Sequence, residues 1–118
     1  MIYAIREAET GLIKIGMCRS RRHTLNQRMP NIRYSRKRET GRTVTLELLV
    51  FAEWPHDTEK KLHRYLWREW HSGEWFKDSA RMRQCLEWMK SAFDYNTFML
   101  EFRRQEAALP PSVGARQV

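Results

Sequence analysis

Ile2-Tyr3-Ala4-Ile5-Arg6-Glu7-Ala8-Glu9-Thr10-Gly11-Leu12-Ile13-Lys14-Ile15-Gly16-Met17 opens the chain, and its reading decides the fold. Two β-prone runs, 2–5 and 12–17, flank a turn signal at Glu9-Thr10-Gly11, a spacing that predicts an antiparallel hairpin. Gly16 is expected to end the second strand or to let a neighbour approach the backbone closely. A strand beginning at residue 2 also carries the expectation that little is missing upstream.

Outward from the hairpin, Val44 to Trp54 is the strongest strand, with Val44, Leu46, Leu48 and Val50 alternating onto one face before Pro55 breaks it. Between hairpin and strand, Ser20 to Met29 predicts a short helix with Leu25 and Met29 on one face. Pro30 is expected to end that helix, and the basic stretch 31–42, without an apolar period, reads as a loop closed by Gly41. A second helix, capped by Asp57 or Thr58, is expected to run to about Trp70 with Leu62, Leu66 and Trp70 inward. Glu74-Trp75-Phe76 is short and extended. Asp78 or Ser79 caps a last helix with Met82, Leu86, Met89 and Phe93 inward, continuing or restarting through Phe98 and Phe102. The expected class is α+β: a small three-stranded antiparallel sheet flanked by helices, with an extra C-terminal helix. Residues 1–105 form one domain, and 106–118, with Pro110-Pro111, a flexible tail.

The chain has 118 residues, 42% hydrophobic content and a net charge of +8, enough apolar material for one modest core. The charge is concentrated: residues 14–42 carry ten basic side chains against the single acid Glu39. Most of those cations are arginines, which fork onto phosphate. Such a segment points to a polyanion, in the first place DNA. Cys18 and Cys85 stand far apart with no Cys-x-x-Cys pair, so they read as reduced thiols. Glu7 and Glu9 sit where a signal peptide needs a basic and then apolar run, and no apolar run approaches a membrane span. A cytoplasmic protein is expected, with no membrane partner.

There is no Gly-rich phosphate loop, no metal-binding His pair, and no nucleophilic Ser or Cys in a recognisable setting. Chemistry must therefore come from Tyr, Arg, Glu and His, with or without a metal ion. The order Ile2-Tyr3, Lys14-Ile15-Gly16, an Arg on the first helix, Glu59-x-x-Leu62-His63 and Gly73-Glu74-Trp75-Phe76 resembles the GIY-YIG nuclease superfamily, in its phage-rich branch. The likeness covers residues 1 to about 77. It implies a Mg²⁺- or Mn²⁺-dependent endonuclease acting on double-stranded DNA, phage- or mobile-element-encoded, with no small-molecule cofactor. Glu59 would be the metal ligand, Tyr3 would orient or deprotonate the attacking water, and Arg28 or Arg22 would stabilise charge on the phosphate. His63 would be a phosphate donor, a base or a group behind the ligand. Lys14 stands where the more common form of the family has a second Tyr. Arg19, Arg21, Arg33, Arg36, Lys37 and Arg38 would supply affinity for the DNA backbone. The competing expectations are an inactive nucleic-acid-binding module and a phage-type modulator of a host protein on the same fold. A protein partner or a homodimer stays open.

Overall fold

The computed structural model describes residues 1–18, 22–91 and 94–108, with side chains of the first helix from Leu25 onward. Arg19, Arg21, Phe93 and residues 109–118 of the expected tail lie outside the described residues. The elements run β1 (Ile2–Glu7), β2 (Ile13–Met17), α1 (Arg22–Thr40), β3 (Leu46–Ala52), α2 (Thr58–Tyr65), a 3₁₀ turn (Trp67–Glu69), β4 (Trp70–Ser72), β5 (Trp75–Phe76), α3 (Ala80–Met89) and α4 (Asp94–Ala108). The α+β class stands, but the sheet has five strands, ordered β3-β1-β2-β5-β4, with every neighbouring pair antiparallel. No helix among the described residues is long and apolar enough to cross a membrane.

The extra strands arise where the second helix stops early. Leu62 and Leu66 are fully buried, but Trp70 is 37% exposed and begins β4 instead of a further helical turn. The Leu62, Leu66, Trp70 spacing therefore held for only two of its three residues. Asp57 occupies the N-cap position of α2 without capping it; its carboxylate takes Lys61 Nζ at 2.9 Å instead. Ser79 does cap α3, its hydroxyl accepting from the Met82 amide at 2.9 Å.

The hairpin forms as expected, with Tyr3 opposite Gly16 and Ile5 opposite Lys14. Period-two alternation then sorts β1 to both faces. Ile2 and Ala4 join the larger core cluster with Phe76 and with residues of α2, α3 and α4, while Tyr3 and Ile5 join Cys18 and Leu25 on the α1 side. The expected single-face alternation of β3 is overturned by a register shift: Ala4 pairs with Val50, but Ile5 pairs with Leu48. One extra residue on β3 exchanges its faces. Leu46 and Leu48 pack toward α1, whereas Val50 and Ala52 pack toward α2–α4.

Pro30 does not end the first helix, and 31–42 is not a loop: α1 continues through Pro30 to Thr40. A proline inside a helix removes one hydrogen bond and costs about 3 kcal/mol. Packing offsets that cost. Met29 and Ile32 lie against the Tyr3, Ile5, Cys18 and Leu25 cluster, and Arg36 continues the same stripe one turn on. The period was hidden because its last buried member is an arginine. Gly41 closes the helix in the left-handed region (φ 77°), its amide bonding the Lys37 carbonyl at 2.8 Å.

Candidate active-site groove

Between α1 and the sheet lies an open groove of about 600 Å³. Tyr3 and Lys14 enter it from the β1–β2 hairpin, Arg28 from α1, Glu59 from the first turn of α2, and Glu74 from the turn before β5. Four elements far apart in the chain thus converge on one concavity.

Gly16 explains how Tyr3 fits. A Cβ at position 16 would come within 2.5 Å of the Tyr3 hydroxyl oxygen and 2.6 Å of the ring carbon bearing it. The phenol therefore lies across bare backbone, so Gly16 serves close approach. Tyr3 is 2% exposed and its pKa is pushed up to about 12, by burial first and then by the charge of Glu74, against the pull of Arg28. It keeps its proton at neutral pH.

Lys14 Nζ meets Glu74 Oε2 at 2.5 Å. Glu59 stands within hydrogen-bonding reach of the same Glu74, and its pKa is raised to about 7 by burial, then by the charge of Glu74 and the bond to it. Burial also works to raise Glu74, but the hydrogen bond and charge of Lys14 outweigh it and hold that carboxyl below the usual range. Glu59 binds its proton more tightly folded than unfolded, so its own contribution to stability declines as pH rises from about 4.5 to about 7 and is flat above. Thermal melts in EDTA between those limits are expected to show stability changing more favourably with rising pH for Glu59→Gln than for the unsubstituted protein. Parallel slopes for the two would contradict this assignment.

Arg28 donates from Nη1 to the Met17 carbonyl at 2.8 Å, which lays its guanidinium along the groove edge. Arg22 opens α1, but its side chain lies outside the described residues. His63 does not line the groove. It is 7% exposed, packs on Phe76 with ring centroids 5.0 Å apart, and binds the Ile15 carbonyl through Nε2 at 2.8 Å. A carbonyl only accepts, so that nitrogen carries the proton. Burial lowers the pKa of His63, and Glu59 Oε1 lies 3.9 Å from the same Nε2. His63 is thus a neutral brace behind Glu59, tying α2 to β2.

The expected backbone-binding set divides. Arg36 is turned inward, 5% exposed, and holds the fully buried Glu7 through Nε at 2.6 Å and Nη2 at 3.0 Å, and Glu39 through Nη1 at 2.8 Å. Its charge is spent inside the fold, which removes it from the exposed cationic set. Arg33, Lys37 and Arg38 are exposed. At 100° per residue, Arg33 and Lys37 turn well away from the groove-lining face marked by Arg28, Asn31, Ser35 and Glu39. The groove itself is balanced, with Lys14, Arg28 and Arg36 against Glu39, Glu59 and Glu74. Glu7 and Glu39 were not anticipated as partners of Arg36; an acid opposite a basic stripe only shows once that stripe is known to be helical.

Glu59 and Glu74 offer hard oxygen donors; burial raises the Glu59 pKa first, and the repulsion from Glu74 that adds to it is the field a divalent cation relieves. Mg²⁺ takes one or two carboxylates and keeps its waters, which fits this donor pair. Among the described residues no group of three or more His, Cys, Asp and Glu side chains is arranged to hold a metal. A closed protein cage is therefore not on offer.

The hairpin-led sheet and its groove define a small α+β domain. The family model of the T5orf172 domain matches residues 1–91, and the chain belongs to that family, a phage-associated domain related to GIY-YIG- and HNH-like nuclease folds. No curated protein and no solved structure matches the chain. The matched stretch contains every groove residue and stops short of α4.

Proposed function

We propose that the chain is a metal-dependent endonuclease that hydrolyses DNA phosphodiester bonds with little sequence preference of its own. The observation that carries this reading is the convergence of Tyr3, Lys14, Arg28 and Glu59 on one groove. Glu59, with Glu74 beside it, would hold Mg²⁺ or Mn²⁺. A bound ion supplies positive charge against the scissile phosphate and lowers the pKa of a coordinated water. Arg28 presents a permanently charged planar fork to charge developing on the phosphate. Tyr3, protonated at neutral pH, orients the reacting oxygen by donating a hydrogen bond. Lys14 keeps Glu74 ionised and in place. Arg33, Lys37 and Arg38 would add phosphate affinity that weakens steeply with salt.

One observation favours the second reading, an inactive nucleic-acid-binding module. The Lys14 ammonium already neutralises Glu74, which leaves less negative charge for a metal ion. Supercoiled plasmid separates the two. Nicking in Mg²⁺ or Mn²⁺ that stops in EDTA is the expected result. Retention of DNA without nicking in either metal would leave the binding module standing and end the enzyme reading.

A further inference from the structure

Tyr34 is 64% exposed on α1, while most of the chain's aromatic rings are packed in its cores. Exposed Arg33, Lys37 and Arg38 surround it, and the Arg38 guanidinium lies over its ring, 5.9 Å from the centroid. Arg38 also lines a shallow depression with Ser35 and Glu39, both of which line the main groove. Arg38 thus links the Tyr34 ring to the rim of the groove, while Arg33 and Lys37 lie on the far side of the ring. Tyr34 follows Arg28 by six residues, about 9 Å along the helix axis and about 120° around it, so a strand reaching from one to the other wraps over the Arg38 edge of the helix.

An exposed ring held by a cation presents a flat face that a duplex cannot use, because a duplex keeps its base faces stacked inside. A strand with unpaired bases offers those faces, and stacking on an aromatic tolerates any sequence. Trp70, also partly exposed, donates its indole N–H to the Gly73 carbonyl at 2.9 Å and so braces the turn beside the groove.

We propose that Tyr34, flanked by Arg33, Lys37 and Arg38, is a stacking platform for an unpaired nucleotide, so that the preferred substrate carries single-stranded character next to the phosphate in the groove. This rests on the nucleic-acid part of the reading above and sharpens its substrate class. The test is binding in EDTA of an oligothymidine and of a duplex of equal length, each fluorescently labelled, to the full chain. Tyr34→Ala is expected to weaken the single strand about 5- to 100-fold and the duplex less than about twofold, while Tyr34→Phe keeps single-strand affinity. The proposal is overturned if Tyr34→Ala leaves the single strand within twofold, or if both oligonucleotides weaken equally. It is overturned as well if Tyr34→Phe loses as much as Tyr34→Ala, since the hydroxyl would then be contacting phosphate. Failure to bind the single strand at all has the same meaning. Plasmid nicking is scored in parallel: nicking with no Tyr34 effect ends only the platform, and a Tyr34 effect without nicking ends only the enzyme.

Discussion

Arg36→Ala is expected to cost about 3–5 kcal/mol of stability, a fall of roughly 10–20 °C in melting temperature. The reason lies in what remains after the guanidinium is gone. Glu7 is fully buried, and among the described residues its carboxylate would keep one side-chain hydrogen bond, from the Thr10 hydroxyl at 2.7 Å. Its pKa is held below the usual range chiefly by the hydrogen bond from Arg36, so the variant strands an uncompensated charge. The guanidinium also lies over the Trp75 ring, 4.7 Å from the centroid, and its loss opens the seam between α1 and β5. Removing both charges is a different matter. Glu7→Leu with Arg36→Met is expected to recover most of the loss, because an apolar pair avoids desolvating two ions. Denaturant unfolding of the three proteins measures this. A single variant within about 1 kcal/mol of the unsubstituted protein would show that the pair is not what anchors α1.

Glu59→Gln is expected to lower metal-dependent nicking by about two to three orders of magnitude without lowering the melting temperature at neutral pH. Glutamine keeps the shape of the side chain and removes its charge. The fold tolerates the change because α2 is held by Leu62 in the core and by His63 on the Ile15 carbonyl, neither of which involves the Glu59 carboxylate. Neutralising position 59 also relieves the repulsion from Glu74, so the scaffold gains slightly where the chemistry loses. Retention of nicking within about tenfold, in a variant with a native melt, would move the metal-holding role off α2.

The sequence was most legible where local signals agreed with the tertiary fold. The hairpin followed from two β-prone runs around a turn, and Ser79 announced α3 because its hydroxyl satisfies a backbone amide. Tyr3, Lys14 and Glu59 were found from motif order, and the groove brings all three together. The failures share a cause. Continuation of α1 past Pro30, the face exchange of β3 and the start of β4 at Trp70 are each decided by contacts distant in sequence. Arg36 belongs to that group: only its ion pair with Glu7, 29 residues away, turns a cation from the surface to the interior. Composition sees ten cations between residues 14 and 42 and cannot tell which of them folding has already used.

The contact between Tyr3 and Gly16 couples the two positions mechanically. Any side chain at 16 would stand under 3 Å from the phenol, so the ring must move before a substitution there fits. A methyl at 16 therefore acts at position 3: it displaces the Tyr3 hydroxyl and ring edge, and with them part of the groove wall.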